Sequence, residues 1–353
     1  MSVVDPASAA CPVPHVESDR VLLGHGSGGQ LSAALLRDVV VPALADAAPA
    51  GPLQDAAVLP FGGTDLVMTT DSYVVSPVFF PGGDIGALAV NGTVNDLAMR
   101  GGEPVALSLA FVIEEGFPVD DLRRVTSSVA AAARRVGVPI VTGDTKVVGR
   151  GAADGLFVTT TGIGRRLPTA RPGVERARPS DAVLLSGPIG VHGTAVLSAR
   201  EGLGFDAEIA SDTRPLHALV RAVIEATGED IHVLRDPTRG GLASSLNEIA
   251  QASSVGIVLE EDALPVPPVV AAACELLGLD PLHVTNEGCL VAVAAPDTAD
   301  AALAAMRARP EGSTAVRVGT VVAGDPGRVT MRTRVGGRRI VDMLVGEQLP
   351  RIC

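Results

Sequence analysis

The feature that most constrains the fold is an alternation of strand-like and helix-like segments that runs through the chain twice. In the first round, Val105–Ile113 is strand-like, whereas Ile85–Arg100 and Asp120–Val136 have helical spacing. Arg165–Asp181, which is rich in proline and arginine, then interrupts the pattern. Alternating strands and helices form α/β layers, and such an interruption is typical of a linker. The sequence therefore predicts two α/β domains.

The alternation resumes at Ala182, and a length of 353 residues suits two domains. We assign residues 21–165 to an N-terminal domain and residues 166–335 to a C-terminal α/β domain. Residues 1–20 are aperiodic and rich in alanine, proline, serine and valine, so we expect a disordered N-terminal extension. From Gly336 the chain becomes polar, and residues 336–353 are predicted to form a flexible tail.

Charge and cysteine usage exclude several classes of partner. The net charge of −12 repels a phosphate backbone, so no nucleic acid partner is expected. Residues 1–19 lack the pattern of a secretory signal, and no apolar run is long enough to cross a membrane. Four cysteines without a Cys-x-x-Cys pair are typical of a reducing compartment. We therefore predict a cytoplasmic protein.

The first candidate binding motif is the loop Gly24–Gly29, which contains four glycines in six residues. Glycine lets backbone N–H groups converge on an anion, so Gly26, Ser27, Gly28 and Gly29 are candidates to bind phosphate. The loop is not a Walker A motif, and it lacks the strand–helix context of a dinucleotide fold. The alternative is a flexible loop, and the motif alone does not decide between the two.

Three aspartates follow predicted strands. They are Asp71, Asp144 and Asp236. Carboxylates at strand ends can converge at one edge of a sheet, an arrangement that suits Mg²⁺ held with a triphosphate. The alternative is that aspartate simply favours turns.

Asn95 and Asp96 continue the apolar stripe of the helix Ile85–Arg100. Polar groups on such a face need partners. The partner is either a ligand or a neighbouring loop.

Three further residues are candidates for chemistry. Lys146 is the only lysine and lies two residues after Asp144, where a compact charge suits a phosphoryl group. Glu287 precedes an apolar strand and would become a proton acceptor in a water-poor pocket, although a solvated turn is the simpler interpretation. The sequence ends on Cys353, too late for a prenylation signal, and the alternative is an incidental thiol.

Together these segments resemble the HypE family of nickel–iron hydrogenase maturation proteins, within the PurM-like superfamily. The resemblance begins near Leu22, and its most specific element is the terminal PRIC. The matching segments are GHGSGG (24–29), TDSYVV (70–75), FFPGGDIGALA (79–89), GTVND (92–96), TGDTKVV (142–148), RDPTRGG (235–241), ALPVPP (263–268), CELLGLDPL (274–282), NEG (286–288) and PRIC (350–353).

The resemblance implies a two-domain PurM-like α/β fold, whose N-terminal domains form a dimeric β-barrel core, and ATP bound with Mg²⁺. It further implies that a partner, HypF, carbamoylates Cys353. The group is then dehydrated to a thiocyanate with Lys146 and Glu287 as catalytic residues, and cyanide passes to iron on the HypC–HypD complex. The implied nucleotide contacts are the glycine loop, Asp71, Asn95, Asp96, Asp144, Thr145 and Asp236. The implied metal ligands are Asp55, Asp71, Asp96, Asp144 and Asp236.

The sequence leaves rival functions open. Gln54 stands where the wider superfamily often has a second acid, which weakens the case for Asp55 as a ligand. Selenophosphate synthetase and thiamine-monophosphate kinase share the superfamily. The former usually carries cysteine or selenocysteine where this chain has Ser27, and neither rival accounts for Cys353. A non-catalytic nucleotide-binding scaffold is a third alternative.

Overall fold

The computed structural model describes residues 20–47, 51–203, 209–346 and 351–353. Most of the predicted N-terminal extension therefore lies outside the described residues. The described chain begins with a short 3₁₀ helix, Leu23–Gly26, and α1, Gln30–Leu35. A π-helical turn, Leu36–Val40, links α1 to α2, Val41–Ala43.

The N-terminal domain is a five-stranded sheet covered by two helices. Its long strands pair in the order β1-β2-β7-β5-β6. The elements in chain order are β1 Ala57–Phe61, β2 Thr64–Tyr73, β3 Phe79–Phe80, β4 Gly83–Asp84, α3 Ile85–Met99, β5 Gly102–Glu114, α4 Val119–Val136, β6 Ile140–Val148 and β7 Leu156–Arg166. Only β5 and β6 are parallel, because α4 provides the crossover that parallel strands require. Within the described residues β1 and β6 do not pair, so one chain does not close a barrel.

Helix α3 is the central element of the molecule. The Asp84 carboxylate caps its start by accepting hydrogen bonds from the backbone N–H groups of Gly86 at 2.7 Å and Ala87 at 3.0 Å. Thirteen residues of α3 are buried, so the helix is enclosed on every side. Polar residues on α3 therefore face protein on both domains, not solvent.

The C-terminal domain is a seven-stranded mixed sheet with helices on both faces, and its strands pair in the order β14-β13-β10-β12-β8-β11-β9. The helix that contains Leu242 and Leu246 packs on one face of the sheet. The helix that contains Leu219 and Val223 packs on the opposite face. The strands are β8 Ala182–Leu185, β9 Ile231–Arg235, β10 Gly256–Glu260, β11 Val291–Ala294, β12 Val316–Val322, β13 Val329–Arg332 and β14 Arg338–Val341. The helices are α5 Val191–Glu201, α6 His217–Thr227, α7 Gly241–Ser253, α8 Pro268–Leu277 and α9 Ala299–Arg307.

The predicted tail contains more structure than its composition indicated. Strand β14 pairs antiparallel with β13, so the sheet continues past the predicted domain boundary. The two strands form a hairpin because Gly336, at φ 82°, permits the turn and the backbone N–H of Thr333 donates to Gly337. Residues 342–346 then lie on the C-terminal domain, and residues 351–353 lie against the N-terminal domain.

Candidate active site

Three carboxylates meet where the two domains join. Each of Asp55, Asp96 and Asp236 offers an oxygen, and these oxygens lie within 4.8 Å of one another. Asp55 precedes β1, Asp96 lies on α3, and Asp236 follows β9 of the other domain. Strand order and the buried α3 thus bring together residues far apart in sequence.

Burial and mutual repulsion raise the pKa values of the three carboxyl groups in this acid cluster. Burial, followed by the neighbouring acids, raises the pKa of Asp96 well above its usual value. Burial is also the main cause that raises the pKa of Asp55 to about 6 and that of Asp236 to about 8. Oδ2 of Asp55 is buried and accepts no hydrogen bond from any residue that the structure describes. Oxygen ligands with unspent acceptors are what Mg²⁺ requires, so the residues fit a divalent cation.

Two neighbours fix the shape of the acid cluster. Arg235 contacts Asp55 Oδ1 at 3.0 Å and also pairs with Glu248, so the Asp55 carboxylate is anchored on one side only. The Thr69 hydroxyl lies 2.8 Å from Asp96 Oδ2. Asp71, which accepts from the Tyr73 hydroxyl at 3.2 Å, lies near enough to raise the pKa of both Asp96 and Asp236.

Cys353 lies beside this cluster. Burial raises the pKa of its thiol to about 12, and nearby Arg239 opposes the shift, whereas Glu287, Asp71 and Asp236 add to it. The thiol is therefore neutral at physiological pH. The sulfur is thus close enough to these acids and to Arg239 for each of them to act on its pKa.

Glu287 is buried, at 3% exposure, in the same pocket. Burial, followed by Asp236, Asp212 and Asp71, raises its pKa well above the usual range. The backbone N–H groups of Glu287 and Gly288 donate to the Asp212 carboxylate at 3.1 and 3.0 Å. Glu287 is thus held in a water-poor site, which corrects the simpler interpretation of a solvated turn.

Asn95 supports this pocket from α3. Its side-chain nitrogen donates to the backbone oxygen of Arg214 at 3.1 Å and that of Glu287 at 3.4 Å, and its oxygen accepts from the Leu216 N–H at 2.7 Å. These bonds use its donors and its carbonyl on protein backbone. Asn95 thus ties the two domains together, and its contact with a nucleotide stays a prediction.

The glycine-rich loop lies over Arg239. The guanidinium donates to the backbone oxygen of Gly26 at 3.3 Å. Gly28 has a φ of 76°, and a Cβ there would lie 2.7 Å from Arg239, so the close approach requires glycine. The Ser27 hydroxyl donates to the oxygen of Gly24, and Gly29 packs on Leu344. The loop thus contacts Arg239, the same residue that acts on the pKa of the Cys353 thiol.

Asp144, Thr145 and Lys146 are not brought to the acid cluster within one chain. They lie on the edge strand β6, three strand spacings from β2 and Asp71, or about 14 Å. Lys146 pairs with Asp144 at 2.7 Å, and both side chains are more than 60% exposed. This hydrogen bond is the main cause that lowers the pKa of Asp144. An open groove of about 440 Å³ on β5 and β6 is lined partly by Asp144 and Thr145.

Three residues of this pocket have no role that their sequence context indicates. Arg239 lies in the segment 235–241, where nothing distinguishes it from the chain's other arginines. Asp212 and His192 occur in no recognised motif, and no signal in the sequence could have placed them here. They reach the pocket only through the packing of α5 and the segment before α6 on the N-terminal domain.

Comparison with known proteins agrees with this architecture. Residues 53–166 match the AIR synthase related protein, N-terminal domain, and residues 178–332 match the corresponding C-terminal domain. The chain is 55% identical to the carbamoyl dehydratase HypE of Rhizobium leguminosarum bv. viciae, over 96% of each chain.

Two solved structures are also similar. A HypE–HypF complex matches with a TM-score of 0.82 at 48% identity, covering 88% of this chain and all of the other. HypE in complex with ATP matches with a TM-score of 0.79 at 48% identity, covering 95% and 100%. By sequence and by fold, the chain belongs to the HypE family of carbamoyl dehydratases.

Proposed function

We propose that this chain dehydrates an S-carbamoyl group on Cys353 to a thiocyanate at the expense of ATP, and so supplies cyanide for the iron of nickel–iron hydrogenase. The observation that carries the proposal is the position of Cys353, whose thiol shares one pocket with Glu287, Arg239 and the acid cluster. Chemistry on the end of the chain needs such a pocket.

The acid cluster is the proposed site for Mg²⁺. Asp55, Asp96 and Asp236 would hold the ion, with Asp71 close by. Bound Mg²⁺ would neutralise phosphate oxygens during phosphoryl transfer. The glycine-rich loop, which lies against Arg239, is the proposed contact for phosphate.

The proposed reaction balances in two steps. The carbamoyl oxygen attacks the γ-phosphorus of ATP, ADP departs, and one N–H proton is lost. The remaining N–H proton then leaves as the C–O bond breaks, which releases phosphate and forms the carbon–nitrogen triple bond on sulfur. Glu287 is the proposed proton acceptor because its carboxylate lies in this pocket and is shielded from water.

Arg239 would stabilise negative charge in both steps. Among the described groups that shift the pKa of the Cys353 thiol, Arg239 is the one cation. A guanidinium beside the sulfur can bind the carbamoyl oxygen or the phosphate that replaces it.

The position of Lys146 leads us to propose a homodimer. The face of the N-terminal sheet that points away from its helices exposes apolar side chains, among them Met68 and its cross-strand partner Ile163, which are 41% and 39% exposed. An apolar face of this kind marks an interaction surface. Pairing of two such faces would close the barrel that one chain leaves open, and it would bring Lys146 and Asp144 of one copy to the pocket of the other.

A mixing experiment tests this arrangement. Lys146→Ala and Cys353→Ser are each expected to be inactive alone. If Lys146 acts on the other copy, a mixed dimer keeps one complete site, so an equilibrated equal mixture recovers about a quarter of the wild-type activity. If Lys146 acts within its own chain, the mixture stays inactive.

Mass spectrometry tests the reaction itself. Carbamoylated protein given Mg-ATP should lose one water from the peptide that ends in Cys353. Glu287→Gln, which has nearly the same shape, should bind ATP yet lower the rate by about a hundredfold or more. A carbamoylated wild-type tail that never loses water would support the scaffold alternative.

We further propose that HypF and the HypC–HypD complex are the partners, and that the protein acts in the cytoplasm. A group on Cys353 can reach a partner only when residues 351–353 leave the pocket. The three cysteines in the described part of the chain are free, which is consistent with the cytoplasm. Across the part of the chain that is described, no helix has both the length and the apolar character needed to cross a membrane.

A further inference from the structure

The last three residues occupy a groove built from both domains, which we call the tail groove. It is formed by Val74–Ser76, Asp154, His192 and Arg200. The backbone N–H of Val74 donates to the oxygen of Cys353 at 3.2 Å, and that of Ser76 donates to the oxygen of Arg351 at 3.1 Å. The two segments run in opposite directions, and neither is a β-strand, because Arg351 has a φ of 51°.

His192 completes the backbone contacts. Its Nε2 lies 2.9 Å from the oxygen of Ile352, and because a carbonyl can only accept, Nε2 must carry the proton. Nδ1 lies 2.7 Å from the Ser211 hydroxyl, which can donate to it. The ring is fully buried and packs edge-on against Phe80 at 5.4 Å. Burial lowers the pKa of His192, which agrees with a neutral ring.

Side chains of the tail add two more contacts. Ile352 is 2% exposed and belongs to the apolar core of the N-terminal domain, together with Phe80 and Val196. Arg351 pairs with Asp154, and its backbone oxygen also accepts from Arg200 at 2.7 Å. All three carbonyls of residues 351–353 are therefore bonded. Ile352 and Arg351 are held as well, and the cysteine side chain is left for chemistry.

We propose that His192 is a positioning residue, which binds the carbonyl immediately before Cys353 and so fixes the sulfur-borne group beside Glu287. Arg200 and the apolar seat of Ile352 hold the same docked state. Release of the tail breaks these contacts together. Docking and carbamoyl acceptance therefore compete, and the groove sets the balance between them.

This inference rests on the proposed function for its catalytic meaning but not for its first test, which needs neither ATP nor a partner. The rate at which iodoacetamide alkylates Cys353 is measured by mass spectrometry of the C-terminal peptide. His192→Phe keeps a ring but loses the N–H donor, and should speed alkylation about two- to twelvefold. Ile352→Ala, which changes the tail alone, should speed it about tenfold or more.

Three controls make the result decisive. His192→Gln can place an amide N–H near the position of Nε2 and should restore most of the protection. His217→Phe, at a half-buried histidine on α6, should leave alkylation unchanged. Cys274 and Cys289 are buried in the C-terminal domain and should stay unmodified in every variant that is folded. Unchanged alkylation of Cys353 in both folded His192→Phe and Ile352→Ala would overturn the proposal.

A second readout separates positioning from simple stability. His192→Phe and Ile352→Ala should slow the single-turnover dehydration of a carbamoylated tail, while the rate at which HypF carbamoylates Cys353 stays the same or rises. A fall in both rates would indicate a merely structural part for His192. If the variants are alkylated faster but the wild type never dehydrates a carbamoylated tail, the tail groove is supported and the proposed function is rejected.

Discussion

Asp236→Asn is expected to stabilise the metal-free protein at alkaline pH while abolishing the response to Mg²⁺. Burial and repulsion from neighbouring acids raise the pKa of Asp236 from 3.8 to about 8. Between these two values the folded carboxyl holds a proton that the unfolded chain has released. The free energy of unfolding must therefore fall as pH rises through that window. Asparagine has nearly the same shape and cannot acquire the charge.

The size of the effect follows from the two pKa values. A group with a pKa of about 8 when folded loses stabilisation on the order of a few kcal/mol as pH rises from about 6 to about 8.5. The comparison between Asp236→Asn and wild type is needed because other groups titrate too. Buried His192, whose pKa is lowered by burial, acts in the opposite direction, and the comparison cancels its contribution.

Urea unfolding at both pH values, with the metal chelated, measures the effect. The two proteins should have similar free energies of unfolding near pH 6, and Asp236→Asn should be more stable near pH 8.5 by on the order of a few kcal/mol. Saturating Mg²⁺ at a hundred times its Kd should restore about 2.7 kcal/mol to wild type and nothing to the variant. Asp297→Asn, at an exposed carboxylate, is the control. The same pH dependence in wild type and Asp236→Asn would refute the reasoning.

Two further predictions concern local geometry. Gly28→Ala should weaken ATP binding about tenfold in calorimetry, because the φ of 76° and a Cβ only 2.7 Å from Arg239 would force the loop to move. Gly26→Ala is the control and should bind ATP normally, because a Cβ added there would have no atom within 4 Å. Asp84→Ala removes two hydrogen bonds at the start of α3 and should lower the free energy of unfolding by about 1 kcal/mol, and an unchanged urea midpoint would contradict the assigned cap.

Local chemistry made much of the fold predictable from sequence. Asp84 and Gly137 mark the start of α3 and the end of α4 because capping depends on neighbouring residues only. Strand β14 was missed because its stability comes from pairing with β13, and its residues Arg338–Val341 look polar in isolation. The periodicity of a segment does not show which strand it will pair with.

The site was predictable only in part for the same reason. Asp96 and Asp236 stand out as polar residues beside apolar segments, and the fold does bring them together with Asp55. Asn95 has the same sequence signal, but its side chain is hydrogen-bonded to the backbone of the other domain. The separation of Lys146 from these acids depends on strand order, which composition and spacing do not encode.

The central claim is that the carbamoyl oxygen on Cys353 is the atom that receives the γ-phosphoryl group. Protein carbamoylated with a heavy-oxygen label and given Mg-ATP in unlabelled water tests this most directly, through the mass of the phosphate released in a single turnover. The account predicts that the label appears in the phosphate in amounts equal to the thiocyanate formed. Thiocyanate formed with unlabelled phosphate would contradict it.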